Sequence, residues 1–142
     1  MTTPSQIPAA LCGLYPGART TIISTPKNGV GTAGRRMEDG CWSVRFDSGD
    51  FGWWAPEVLS LLLDSPLALC HAARWLAERS GWHMRWVPTA PSWERVMTEK
   101  GPVWKLSHGN SALYATDVPG IGDMTDPAEA LAAACMAVGG AS

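Results

Sequence analysis

The run Asp47-Ser48-Gly49-Asp50-Phe51-Gly52-Trp53-Trp54-Ala55-Pro56 constrains the fold of this chain more than any other feature. It follows a segment of clean period-two alternation over residues 41–47. There Trp42, Val44 and Phe46 share one face, and Ser43, Arg45 and Asp47 share the other. Asp39-Gly40 just before it is a strong hairpin signal, and the Asp47–Asp50 stretch turns the chain again. Upstream, residues 19–24 are rich in β-branched side chains. Residues 30–37 read as a strand that bends or bulges at Gly31 and Gly34. Downstream, Pro56-Glu57-Val58-Leu59 suits a single 3₁₀ turn, and residues 60–63 can return to the sheet. Short strands at close spacing with Gly-rich turns predict a small closed antiparallel barrel over residues 17–63.

Around this core the chain divides. Residues 1–16 hold Pro4, Pro8 and Pro16 and read as a loosely ordered lead. Residues 64–142 read as a small αβ unit of order α-β-α-β-β-α with a three-stranded sheet. Ser65-Pro66 opens its first helix, which runs to about Ser80, and Asp126-Pro127-Ala128-Glu129 caps the last. Strands are expected over residues 82–87, 103–106 and 112–116. A short helix is expected from Pro91 or Ser92 to about Lys100, with Gly101 as its stop. The expected fold class is therefore α+β, an antiparallel barrel packed on a small αβ unit.

Composition narrows the function classes. With 46% hydrophobic and 17% charged residues, the chain has ample material for a core. Residues 1–63 carry five Lys/Arg and five Asp/Glu, and residues 64–142 carry six and eight. Neither half is basic, which disfavours broad binding to a phosphate backbone. Cys12, Cys41, Cys70 and Cys135 are far apart and form no CxxC pair, so no zinc site or other metal is expected. Free thiols, the lack of a signal-like start and the lack of a membrane-length apolar run imply a cytoplasmic protein. No nucleophile motif, P-loop or HExxH stands in the sequence, and adjacent Cys70-His71 make a poor dyad on a helix. The expectation is a protein that is not an enzyme and has no cofactor.

The segment from Asp39 to Phe46 and the segment Gly52-Trp53-Trp54-Ala55-Pro56-Glu57-Val58-Leu59 together resemble SH3 domains and related SH3-like barrels. The wording Val44-Arg45-Phe46-Asp47-Ser48-Gly49 looks closer to the Tudor and KOW types. The second half is similar to small phage-encoded proteins of the NinX type. The residues that carry this likeness are Pro91-Ser92-Trp93-Glu94, Gly101-Pro102-Val103-Trp104, Tyr114-Ala115 and the run from Asp126 to Ala133. The first resemblance implies a binding module, and the second implies a phage or prophage origin in a bacterial host.

Adjacent Trp53 and Trp54 must face opposite sides of a strand. Parity assigns Trp42 to the core, so one indole of the pair can join it and the other lies outside. The expected function is thus an accessory protein that binds another protein through the barrel surface. Its candidate residues are Trp53, Trp54, Asp47, Asp50 and Glu57. The alternative is nucleic-acid binding by the barrel loops through Arg35, Arg36 and Lys27, with aromatics stacking bases.

Overall fold

The computed structural model describes residues 5–23, 29–79, 91–109, 111–115 and 118–139. The chain divides into two compact units, Met1–Asp64 and Ser65–Ser142. It is a mixed α+β protein with antiparallel sheets.

The first unit is built on a six-stranded sheet. Its strands are β1 (Gln6–Pro8), β2 (Arg19–Ile22), β3 (Gly31–Arg36), β4 (Trp42–Phe46), β5 (Phe51–Trp54) and β6 (Leu59–Leu62), with a helical turn α1 (Ala9–Cys12) after β1. The spatial order is β1-β6-β2-β3-β4-β5, with every described pairing antiparallel. The sheet does not close, which corrects the expected barrel. β1 and β2 occupy the two sides of β6, and β5 pairs only with β4. β1 and β5 are thus the two edges of the sheet, and no described pairing joins them.

Within the expected lead, the described residues 5–16 hold a strand and a helical turn. β1 pairs with β6 in register Ile7↔Leu61, and Ile7, Ala9, Cys12 and Leu14 are buried. Residues 7–14 thus supply part of the core. All four residues of β6 are buried. The Thr20 hydroxyl donates to the Ser60 carbonyl at 2.5 Å, and the Ser60 hydroxyl donates to Gln6 Oε1 at 2.7 Å. These bonds satisfy the polar groups that burial would otherwise penalise.

Two hairpin loops shape the β3–β4–β5 end by one device. In each, a tight turn is followed by a glycine at positive φ. Gly40 donates to the Met37 carbonyl while Met37 donates to the Cys41 carbonyl, at 2.9 and 2.7 Å. Gly49 and Phe46 repeat this with Phe46 and Asp50, at 2.9 and 2.8 Å. Gly40 and Gly49 have φ of 91° and 103°, which other residues seldom adopt. The Asp39 carboxylate accepts the Cys41 N–H at 3.0 Å and fixes the first loop.

The second unit holds α2 (Pro66–Arg79), the strands β7 (Ser92–Thr98), β8 (Gly101–His108) and β9 (Ser111–Ala115), and α3 (Pro127–Gly139). The helix N-termini follow the sequence reading. Ser65 Oγ accepts the Ala68 N–H at 3.2 Å, and Asp126 Oδ1 accepts the Ala128 N–H at 3.2 Å. The three strands run in the order β7-β8-β9. β7 replaces the helix expected over residues 91–100. It pairs with β8 along its whole length, from Ser92↔Ser107 to Thr98↔Gly101. Gly101, read as a helix stop, leaves a two-residue hairpin loop at φ 115°. Trp93 and Trp104 stack across this pair, with ring centroids 5.4 Å apart. Trp93 Nε1 donates to the Pro127 carbonyl, and Arg95 Nε to that of Gly122. The strand expected over residues 82–87 lies outside the described residues.

Candidate functional site

β4 carries Trp42, Val44 and Phe46 on its buried face, at 7%, 0% and 3% exposure. The register Trp42↔Trp54, Ser43↔Trp53, Val44↔Gly52 and Arg45↔Phe51 carries this parity onto β5. Trp54 falls on the inner side. Its ring meets Phe46 edge-on, with centroids 5.1 Å apart at 90°, and lies over Gly52. Trp53 falls on the outer side with Phe51. These two rings also meet edge-to-face, 5.6 Å apart, and are 50% and 55% exposed. The Arg45 guanidinium sits 5.8 Å from the Phe51 ring centroid, within cation–π range.

Beside Trp53 lies a groove of about 620 Å³, lined by Arg35, Arg36, Met37, Glu38, Asp39, Cys41 and Trp53. Consecutive arginines reach it because β3 is irregular there. The β3–β4 register shifts between Ala33 and Arg36. The Arg35 N–H donates to Ser43 Oγ at 2.9 Å, and a Cβ on Gly34 would fall 2.6 Å from that oxygen. On a regular strand Arg35 and Arg36 would face opposite sides. The bulge re-aims them, and it needs a glycine opposite Ser43.

The charges around the site divide into paired and open groups. Asp47 is engaged by Arg19, with Nη2 to Oδ2 at 2.6 Å and Nη1 to Oδ1 at 3.1 Å. Arg19 Nη1 also donates to Thr32 Oγ1. The Arg19 hydrogen bonds hold the Asp47 carboxyl below its ordinary value and raise the guanidinium. This is the one ion pair among the described residues. Arg36 and Arg45 have no acidic partner there, and Arg35 reaches only the sulfur of Met37, at 3.8 Å. The Cys41 thiol is raised, first by desolvation and then by Asp39. Among the described residues, no three His, Cys, Asp or Glu side chains converge on a possible metal position. No described helix is long and apolar enough to cross a membrane.

No protein-family model, curated protein or solved structure matches this chain.

The structure thus brings together Trp53, Arg35 and Arg36 from the sequence candidates. It does not bring Asp47 or Asp50 to them, and it brings Glu57 only to Arg36. Asp47 is held by Arg19, and Asp50 is exposed in the second hairpin loop. Glu57 lines a different cavity of about 360 Å³, with Trp42, Pro56, Arg36 and the residues of α1. Trp54 turns inward, and Lys27 lies outside the described residues. Sequence reasoning passed over Phe51, Met37 and Cys41. Phe51 had a usable signal, since it stands two residues from Trp53 and shares its face.

Proposed function

We propose that this chain is a non-catalytic accessory protein that binds another protein through the outer face of β4 and β5. The observation that carries this reading is the joint exposure of Phe51 and Trp53 beside the groove. Two large aromatics half in solvent cost the free protein hydration free energy that a partner would recover. Tryptophan and arginine are also the residues most enriched where binding energy concentrates. The hairpins and the 3₁₀ turn at Pro56–Val58 support reading the first unit as an open relative of SH3-like barrels. The likeness of the second half to NinX-type proteins supports a phage or prophage setting. None of the four cysteines is in a disulfide, which fits a reducing bacterial cytoplasm. Capture of partners from host lysate, quantified by mass spectrometry, tests the reading. Trp53→Ala is expected to deplete at least one partner that Leu67→Ala retains. Equal capture by both variants would contradict it.

A second reading has its own observation: Arg35 and Arg36 share the groove with Trp53, a stacking surface beside cations. Glu38 and Asp39 on the same groove oppose it. It predicts salt-sensitive shifts of single-stranded oligonucleotides that weaken when Arg35 and Arg36 become Ala. No shift at low salt would remove it.

A further inference from the structure

β5 ends the sheet, and its free side can be assigned residue by residue. The Phe46 N–H donates to the Asp50 carbonyl, so these residues form a hydrogen-bonded pair. Alternation along the antiparallel ladder makes Val44–Gly52 and Trp42–Trp54 hydrogen-bonded pairs as well. Arg45–Phe51 and Ser43–Trp53 are then the non-bonded pairs. The N–H and C=O groups of Phe51 and Trp53 therefore point away from β4. They meet no other strand among the described residues.

Sheet edges of this kind are normally blunted by proline, charge or brevity. The opposite edge follows that rule, for β1 has three residues and ends in Pro8. β5, Phe51-Gly52-Trp53-Trp54, has neither proline nor charge. Instead its outer face carries open cations. The Arg45 guanidinium lies over the Phe51 ring, which brings its charge from β4 toward the free edge. Arg35 stands beside Trp53 in the groove, but Glu38 and Asp39 line it too, so Arg45 is the open cation that decides the charge of an occupant here. Asp47, which follows β4, is held by Arg19, and Asp50 stands exposed just before Phe51.

We infer that the partner adds an extended, acidic and apolar segment as a strand on the free edge of β5. Its main chain pairs with Phe51 and Trp53. An outer-face carboxylate meets Arg45, and its apolar side chains cover Trp53. This rests on the binding role of the β4–β5 face and names the occupant and its mode. Strand addition of this type takes affinity from main-chain bonds and specificity from alternate side chains.

The probe is a fluorescein-labelled heptapeptide of alternating glutamate and valine, titrated into the full chain by anisotropy. Amide exchange is followed by NMR in parallel. Saturable binding is expected, with the Phe51 and Trp53 amides passing from fast to slow exchange. Alternate N-methylation of the peptide should abolish binding. Phe51→Pro removes one outward donor at the start of an edge strand, where proline is tolerated, and should weaken binding. Arg45→Glu should weaken it about tenfold or more and favour a lysine–valine peptide instead. Equal binding of the N-methylated peptide would overturn strand addition while leaving the aromatic face as a binding site. Preference of the unaltered protein for the lysine peptide, or for a single-stranded oligonucleotide, would overturn the acidic occupant. No binding of the glutamate peptide at millimolar concentration would overturn the inference as a whole. Partner capture dependent on Trp53 would still stand in that case.

Discussion

The Trp54 indole closes over Gly52 and meets Phe46 edge-on at 5.1 Å, while its neighbour Trp53 points the other way. A Cβ on Gly52 would lie 2.6 Å from Cη2 of Trp54 and 2.9 Å from Cζ3. The glycine is thus the seat of the inward ring. Gly52→Ala must displace that ring from Phe46, and overpacking of this kind costs about 1–3 kcal/mol. Urea denaturation should show the loss. An unchanged midpoint would mean that the ring moves freely.

The two tryptophans should separate stability from binding. Trp54→Ala removes a half-buried ring from the Phe46 contact and should cost about 2–3 kcal/mol, below the full value for a buried aromatic. Trp53→Ala should stay within about 1 kcal/mol of the parent, as exposed positions do. Thermal melts of the two variants give the comparison, and the reverse order would contradict the parity assignment.

The Arg19–Asp47 pair predicts a pH signature. The folded protein holds the Asp47 carboxyl below its ordinary value of 3.8, through the Arg19 hydrogen bonds. A depressed acid contributes its stability above the unfolded value and loses it as pH falls through the folded one. Asp47→Asn should therefore be less stable than the parent near neutrality. The two should converge once the pH drops below the folded value. The pair is solvent-exposed, so the gap should also shrink in high salt. A gap that persists at low pH would assign the effect to something other than the charge.

The cysteines should divide by accessibility. Burial pushes the Cys12 thiol up to about 11, and Cys135 is also buried. Cys41 and Cys70 are partly exposed. Titration with a disulfide reagent at mildly alkaline pH should release two thiols early and two only on unfolding. Early reaction of Cys12 would contradict the packing of α1 against the sheet.

What the sequence made legible was local. Both hairpin loops of β3–β5 announce themselves, because the glycine each bulge requires stands beside an aspartate or serine in the chain. The inward set Trp42, Val44 and Phe46 could be read from period-two alternation alone. β1 could not, since its pairing with β6 spans more than fifty residues and Pro8 masks any strand signal. β7 was hidden for another reason. Glu94, Arg95 and Met97 are good helix formers, and only the long ladder to β8 and the Trp93–Trp104 stack make a strand of them. At the site, parity showed that one of Trp53 and Trp54 faces outward, and only the register to β4 shows that it is Trp53. The acids were not legible, because Asp47 is claimed by an arginine 28 residues earlier in the chain, which no local pattern discloses.

The most direct measurement of the central claim is site-specific photocrosslinking in the host cell. A benzoylphenylalanine placed at Trp53, and in parallel at Phe51, should yield the same discrete crosslinked partner. The same residue placed at Leu67, which is 62% exposed in the other unit, should not yield it. A partner captured equally from all three positions, or from none, would contradict a binding face built on Phe51 and Trp53.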